Sequence, residues 1–295
     1  MNDPLFHTAP KTVGVIAGRM LIYALLILMV LYFLLPFIVM VLTSLKTMAD
    51  IRTGNLISWP REFTLDAWKT AWGSACIAVE CNGIKVYFWN SVKIVVPAVI
   101  ISTLIGAANG YVFSKWKFWG SEVLFSLLLL GCFIPFQAIL LPMAQTLGKL
   151  GLSQSLAGLI LVHIIYGLAF TTLFFRNYYV TIPDELVKAA RIDGAGFFRI
   201  FWKILLPVST PIFVVSVIWQ TTQIWNDFLF GVVFSAGGNQ PITVALNNLV
   251  NTSTGTKAYN VDMAAAIIAA MPTLLVYIVA GKYFVRGLTA GSVKG

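Results

Sequence analysis

Charged residues and cysteines are both scarce in this sequence. Only 11% of its 295 residues are Asp, Glu, Lys or Arg, against about 25% in ordinary soluble domains. Three cysteines are too few for a disulfide framework, and two histidines are too few to form a conventional zinc site. These absences exclude a disulfide-built domain, and we expect neither a metal site nor a cofactor.

Apolar residues take the place of the missing charged ones. Hydrophobic side chains make up 59% of the chain and aromatic residues 14%, a composition too apolar for a disordered or collagen-like protein. The net charge of +9 comes from basic residues that flank apolar runs, which is typical of membrane proteins and not of a nucleic-acid-binding face. We therefore expect the lipid bilayer, and no nucleic acid, among the partners of this chain.

Long apolar runs recur along the whole chain. A helix needs roughly 20 mostly apolar residues to cross the hydrocarbon core of a bilayer. Six runs are of about this length: Met20–Leu42, Ile94–Phe113, Val123–Met143, Leu156–Phe175, Ile212–Phe234 and Met263–Gly281. The first is too long for the apolar core of a signal peptide, and we expect it to be retained. The sequence thus predicts an all-α, polytopic membrane protein with six transmembrane helices.

The segments between these runs predict the orientation of the chain. Six spans place both termini on one side of the membrane, and that side carries more of the Lys and Arg residues near span ends. We therefore expect both termini in the cytoplasm. The predicted organisation is a cytoplasmic segment at 1–19, a membrane region at 20–286 and a cytoplasmic tail at 287–295, with an outer loop at about 44–89 and an inner connector at about 178–207.

Cys76 and Cys81 both fall in the predicted outer loop. In an oxidising compartment the two can pair, but a bridge over so short a loop has strict geometric requirements. A disulfide and two reduced cysteines therefore both remain open as interpretations of this pair.

Polar residues interrupt the fifth apolar run at a helical spacing. Four of them are three or four residues apart and share one face of a helix, and a fifth lies beside them: Ser216, Gln220, Gln223, Asp227 and Asn226. A polar face is costly against lipid, so we expect it to face another helix or a water-filled cavity. This face is our candidate for a translocation path. For Asp227 a second interpretation remains open, in which its carboxylate reaches the membrane surface or caps a bend.

Two further features lie inside predicted spans. His163 has no second histidine or acidic residue near it in the sequence, so we interpret it as a hydrogen-bonded interior residue and not as a ligand or proton carrier. Gly106 and Gly110 form a small-xxx-small pattern, which allows close contact between helices.

The inner connector predicts two short helices joined by a turn. Pro183 and the two acids that follow it suit the first turn of a helix, where they complement the helix dipole. An Asp-Gly pair ends this helix at Gly194, which is free to adopt a positive φ. A second helix is predicted from about Gly196 to Leu205, before Pro207. One face of this pair can pack against the membrane helices while the other meets a partner.

The connector also resembles a known motif. From Glu185 to Ala195 it reads Glu-Leu-Val-Lys-Ala-Ala-Arg-Ile-Asp-Gly-Ala, and Leu-Pro follows at 206–207. This is similar to the EAA loop of permease subunits in binding-protein-dependent ABC importers. Trp-Asn-Asp-Phe at 225–228 and the ending at 287–295 resemble the carbohydrate-importing branch related to the maltose permease. One departure is Lys188, because the family has Glu immediately before Ala-Ala.

The resemblance implies a fold, a function and partners. It implies a type I permease bundle in the inner membrane of a bacterium, with a second, non-identical permease, two copies of an ATPase subunit and a periplasmic sugar-binding protein. The chain would form half of the translocation pathway and would import a monosaccharide such as glucose or mannose. The residues that the resemblance assigns to ATPase coupling are Glu185, Lys188, Ala189, Ala190, Asp193, Gly194, Ala195 and Pro207.

The sequence contains no motif of an enzyme that would act alone. It has no G-x-x-x-x-G-K-[ST] phosphate-binding loop and no H-E-x-x-H zinc pair, so we expect ATP hydrolysis on a separate subunit. The alternative function is a self-sufficient secondary carrier for a small polar solute. Such a carrier would need paired ionisable groups inside the membrane, for which the sequence offers Asp227, with Lys93 near an interface.

Overall fold

The computed structural model describes residues 13–251 and 257–290, in a chain that divides into two compact units. The first unit holds the chain up to Trp68 together with Ala258–Ala264, and the second holds the remainder. Within the described residues the regular structure is helical, with one isolated β-bridge between Ile77 and Glu80. The all-α prediction is confirmed. Residues 1–12 and 291–295 of the predicted terminal segments lie outside the described residues.

The described helices follow the apolar runs and the connector of the sequence. In chain order they are α1 (Val13–Ser44), α2 (Met48–Thr53), α3 (Asp66–Gly73), α4 (Lys85–Lys115), α5 (Ser121–Leu130), α6 (Phe136–Lys149), α7 (Leu156–Val180), α8 (Asp184–Ile192), α9 (Phe197–Ile200), α10 (Leu206–Val208), α11 (Thr210–Trp225), α12 (Leu229–Phe234), α13 (Ile242–Asn251) and α14 (Tyr259–Ala290). A π-helical turn, Phe201–Leu205, joins α9 to α10.

In the described part of the chain, four helices are long and apolar enough to cross a membrane. They are α1, α4, α7 and α14, and they contain the first, second, fourth and sixth predicted spans. A further candidate is a broken span in which Phe197–Val208 and Thr210–Trp225 meet at an angle of 80°. The multi-pass membrane fold is therefore supported, and the total of six spans stays a prediction.

Two predicted spans were wrong as single helices. Val123–Met143 contains the end of α5, an irregular segment and the start of α6. The reason is Pro135, which stands directly before the first residue of α6 and has no backbone N–H to donate. Ile212–Phe234 is interrupted after Trp225, where Asp227 caps a new helix as described below.

In the first unit, a buried lysine organises the segment that follows α1. Lys46 is 2% exposed, and its Nζ donates hydrogen bonds to the carbonyl oxygen of Asn55 (3.1 Å) and to Ser58 Oγ (3.0 Å). The carbonyl oxygen of Lys46 accepts a hydrogen bond from Asn260 Nδ2 at 3.0 Å. These bonds satisfy a charged group that the fold removes from water.

In the second unit, α4 and α7 pack at very short range. A methyl group added to Gly106 would lie 2.5 Å from Thr171 Cβ, and one added to Gly110 would lie 2.6 Å from Phe175 Cβ. Thr171 Oγ1 also donates a hydrogen bond across the interface to the carbonyl oxygen of Ser102 (3.1 Å). The small-xxx-small prediction is confirmed, since only glycine lets the two helices approach this closely.

The third member of this bundle is α11, which is joined to α4 through side-chain hydrogen bonds. Gln220 Nε2 donates to Ser102 Oγ at 2.8 Å, and Ser216 Oγ lies 3.4 Å from Thr103 Oγ1. All four side chains are buried. The first half of the polar face thus meets another helix, as the sequence predicts, because an unpaired polar group at this depth would be costly.

The loop that the sequence analysis predicts on the outer side contains a disulfide between Cys76 and Cys81, whose Cα atoms lie 3.8 Å apart. Between them the backbone turns back on itself, and Ile77 N–H donates to the carbonyl oxygen of Glu80 at 2.7 Å. Of the two interpretations that the sequence leaves open, the structure has the disulfide.

The packing of α4 on α7 can be tested by a methyl group. We expect Gly106→Ala to destabilise the protein by roughly 1–3 kcal/mol, because the added methyl would overlap Thr171. The measurement is the thermal unfolding midpoint of the protein in detergent. Gly281→Ala is the matched control, since Gly281 also lies in a helix and an added Cβ there meets no atom within 4 Å. Equal midpoints for the two variants would contradict the close packing.

Candidate functional site

The first helix of the connector, α8, begins and ends at residues that favour a helix start and a helix end. Pro183 precedes α8, and two acids occupy its first turn, where the helix dipole stabilises negative charge. At its other end, Ala195 N–H donates to the Ala190 carbonyl oxygen (2.9 Å) and Gly194 N–H to that of Arg191 (3.0 Å). This bond pair, with Gly194 at φ +75°, is a Schellman motif. The predicted Asp-Gly stop is therefore present in the structure as a fixed turn.

The second helix of the connector is longer than predicted. It begins at Phe197 as α9, passes through the π-helical turn and continues as α10 to Val208. The predicted end before Pro207 was wrong, because the fixed φ of proline is compatible with a helix and the helical backbone continues through Pro207 to Val208.

One side of the connector packs into the bundle. Val187 and Ala190 of α8 are buried on the ends of α4 and α7, in a cluster that also contains Ala107, Tyr111, Phe175, Tyr179, Ile200, Phe201 and Leu205. The ring of Tyr111 stacks on Phe197 with centroids 4.7 Å apart. Because aromatic and aliphatic side chains from four helical segments interlock here, the connector and the helix ends form one packed body.

An ion pair also joins α8 to α4. Lys115 Nζ lies 2.5 Å from Asp184 Oδ1 and donates to the carbonyl oxygen of Ile182 at 2.5 Å. The hydrogen bond and charge of Lys115 hold the pKa of Asp184 below its ordinary value, with smaller effects from Lys188 and Lys117. A carboxylate with a lowered pKa stays charged until the pH falls to that lower value, so the pair persists throughout the neutral range.

The opposite side of the connector is open. Ile192 is 87% exposed, Phe198 74% and Leu186 48%, which leaves three large apolar side chains uncovered on one short segment. The predicted coupling residues divide between the two sides. Ala190 is buried and Ala195 is half-buried, whereas the others are exposed, namely Glu185, Lys188, Ala189, Asp193, Gly194 and Pro207. All eight residues lie on the connector, and the structure distributes them over both of its sides.

A second candidate site is a polar cavity of about 280 Å³ at the end of α11. Four of the five predicted path residues line it, and they are Gln220, Gln223, Asn226 and Asp227. Ser216 lies outside it, in the contact between α11 and α4. Aromatic side chains complete the lining, and they include Phe136, Tyr166, Trp219 and Phe230.

The carboxylate of Asp227 performs the capping role that the sequence left open. It accepts the backbone N–H groups of Phe230 (3.3 Å) and Gly231 (3.0 Å), which begin α12. Asp227 Oδ2 also lies 3.8 Å from His163 Nε2. The interpretation that no acid accompanies His163 was therefore wrong, because α7 and the break after α11 bring together two residues that are distant in sequence.

Several side chains of these sites carry no signal in the sequence. Tyr111, Phe136 and Tyr166 lie in apolar runs, where an aromatic residue is ordinarily packing and nothing local marks it as part of a site. Lys115 is the exception, since it is a lysine at the end of a long apolar run and points to the membrane boundary.

Comparison with known proteins gives a consistent result. Residues 98–289 match the family described as binding-protein-dependent transport system inner membrane component. A probable ABC transporter permease protein of Pyrococcus horikoshii is 49% identical over 59% of this chain and 63% of its own length. The xylose/arabinose import permease protein XacI of Haloferax volcanii is 32% identical over 96% of both chains.

A solved structure shares the fold. A chain in the crystal structure of a bacterial ABC transporter involved in the import of the acidic polysaccharide alginate superposes with a TM-score of 0.82, at 20% sequence identity. The match covers 94% of this chain and all of that one. At this level of identity the likeness establishes the architecture.

Proposed function

We propose a function from one premise, which is that the chain belongs to the family of binding-protein-dependent transport system inner membrane components and is a multi-pass permease of the carbohydrate ABC importer class. In our proposal it forms half of a sugar translocation pathway in the inner membrane and couples that pathway to a separate ATPase. Its partners are a second, non-identical permease, two ATPase copies and a periplasmic sugar-binding protein. Both termini lie in the cytoplasm.

The observation that carries this proposal is the two-sided connector. One side is interlocked with α4 and α7, while the other presents Leu186, Ile192 and Phe198 to a partner. Exposed apolar groups on a rigid helical segment are typical of a docking surface. In this proposal the ATPase occupies the face formed by these three side chains.

Transport follows from movement of the connector. Closure of the ATPase dimer moves the connector and the attached helix ends together, which rocks this half of the pathway against its partner. Shifting a conformational equilibrium from 1:99 to 99:1 requires about 5.5 kcal/mol of state-dependent interaction. Nucleotide binding supplies this energy on the ATPase, and the packed cluster beneath α8 transmits it.

The polar cavity at the end of α11 is the part of the pathway that contacts the sugar. Side-chain amides and a carboxylate can bind hydroxyl groups, and aromatic rings such as Tyr166 can pack on the apolar face of a sugar. A cavity of about 280 Å³ suits a monosaccharide, and we propose glucose or mannose as substrates. The Haloferax relative, named for xylose and arabinose import, supports this size class.

One observation favours the alternative of a secondary carrier. The His163–Asp227 pair supplies two ionisable groups inside the membrane region, which proton-coupled carriers use. The two functions differ in whether the chain needs other subunits, so reconstitution separates them.

In vesicles we expect uptake of labelled glucose or mannose only when the chain is combined with the second permease, the ATPase, the binding protein and ATP. The physical reason is that neither the connector nor the cavity contains a source of energy. Omission of each component in turn is the control. Accumulation of sugar by the chain alone, driven by a proton gradient, would establish the carrier instead.

The turn at Gly194 gives a matched pair of variants. We expect Gly194→Val to lower the initial rate of uptake at least about tenfold, because a β-branched residue at φ +75° is strained and disrupts the end of α8. Gly196→Val is the control, since Gly196 has φ −78° and open space around it. Uptake and the membrane level of each variant are measured together. Equal uptake in the two variants at equal levels would contradict the coupling role.

The cavity can be tested through its exposed amides. We expect Gln223→Ala combined with Asn226→Ala to raise the KM for sugar about tenfold, since each lost hydrogen bond weakens binding by a modest factor. Asn247→Ala with Asn251→Ala is the control, because it removes two exposed amides of α13 outside the cavity. An unchanged KM in the first double variant would show that the sugar passes elsewhere.

A further inference from the structure

A second polar cavity, of about 390 Å³, lies between the end of α4 and the helix α8. Its lining residues are Ser114, Lys115, Trp116, Lys117, Asp184, Val187, Lys188 and Arg191. Four of these side chains are cations at neutral pH, and Asp184 is the one acid among the lining residues in the described part of the chain. We call it the basic cavity.

The acid in the basic cavity does not neutralise it. Asp184 is already bonded to Lys115, which leaves Lys117, Lys188 and Arg191 as excess positive charge. Lys117 lies 4.0 Å from Glu122, but both side chains are mostly exposed and such a pair is weak. The pKa of Asp184 is lowered by Lys115 first and also by Lys188 and Lys117, which agrees with a positive potential in the cavity.

The guanidinium group of Arg191 is held in place before any ligand binds. Its Cζ lies 4.3 Å from the centroid of the Trp116 ring, and its Nη2 donates to the carbonyl oxygen of Lys115 at 3.4 Å. Stacking on an aromatic ring fixes the plane of the guanidinium and leaves other N–H donors available. A planar donor group beside two lysines is the chemistry that recognises phosphate.

The residues around the end of α4 favour a position of the basic cavity at the membrane surface. Lys115 is the last residue of the long apolar helix α4, and the residues after it are exposed aromatics, with Phe118 44% and Trp119 99% exposed. Exposed tryptophan at the end of a membrane helix is typical of the interface where lipid headgroups lie. Basic pockets beside the ends of membrane helices bind anionic headgroups.

We propose that the basic cavity binds a phosphate group, and that this phosphate belongs to the headgroup of an anionic phospholipid. The bound phosphate bridges the end of α4 and the helix α8, adding a lipid contact to the Lys115–Asp184 pair. Anionic lipid thereby stabilises the connector against the bundle. This inference concerns the binding of a lipid headgroup alone, so its test does not depend on the transport function proposed above.

The test is a lipid titration of the purified, delipidated protein in detergent, followed by native mass spectrometry. We expect phosphatidylglycerol to bind the unmodified chain, and the double variant Lys117→Gln with Lys188→Gln to bind it roughly 30-fold more weakly, since each basic residue near an anionic headgroup contributes a factor of about five. Both side chains are exposed, so the substitutions leave the packing of α8 intact.

A matched variant and two other ligands complete the design. Arg199→Gln with Lys203→Gln removes the same charge from exposed positions outside the cavity, and we expect it to bind phosphatidylglycerol like the unmodified chain. Phosphatidylcholine should bind weakly to all variants. Equal binding of phosphatidylglycerol by the two double variants would overturn the site. Binding of inorganic phosphate as tight as that of the lipid would overturn the assignment to a headgroup.

Discussion

The close approach of α4 and α7 is the constraint on which the rest of the second unit depends. Gly106 and Gly110 bring the two backbones together, and Thr171 adds a hydrogen bond across the interface. Membrane helices gain little from hydrophobic burial against each other, because lipid tails are equally apolar, so short-range packing and hydrogen bonds must hold them. The connector packs on the ends of this pair, and α11 bonds along its side. A shift between α4 and α7 would therefore displace both candidate sites.

The two sites are also connected through α11. The connector runs from α8 through α10 and bends by 80° into α11, which ends at the polar cavity. Midway, Gln220 is bonded to Ser102 and fixes α11 against α4. A displacement of Phe198 on the open side of the connector consequently reaches the cavity through α9, the π-helical turn, α10 and the bend into α11. This path is the physical basis of the coupling that we propose above.

The sequence predicted best those features that depend on neighbouring residues. Uninterrupted apolar runs gave the long helices, and the cap residues gave the start of α8 and its stop at Gly194. Features that depend on distant residues were missed. The contact of Asp227 with His163 requires the packing of α7 beside the break after α11, and no pattern within one stretch of the sequence indicates it. The cap that Asp227 forms on α12 is local, and the sequence left it open as one of two interpretations.

The π-helical turn at Phe201–Leu205 has a further consequence for this molecule. A wider turn accommodates an additional residue, and each residue of a helix advances its side chains by about 100°. The number of residues in this segment therefore fixes the direction in which Gln223 points relative to the buried side chains of Phe201 and Leu205. A deletion of one residue here would turn the amide of Gln223 away from the cavity, although every other side chain would stay chemically unchanged. Spacing, as much as residue identity, therefore determines the geometry of this segment.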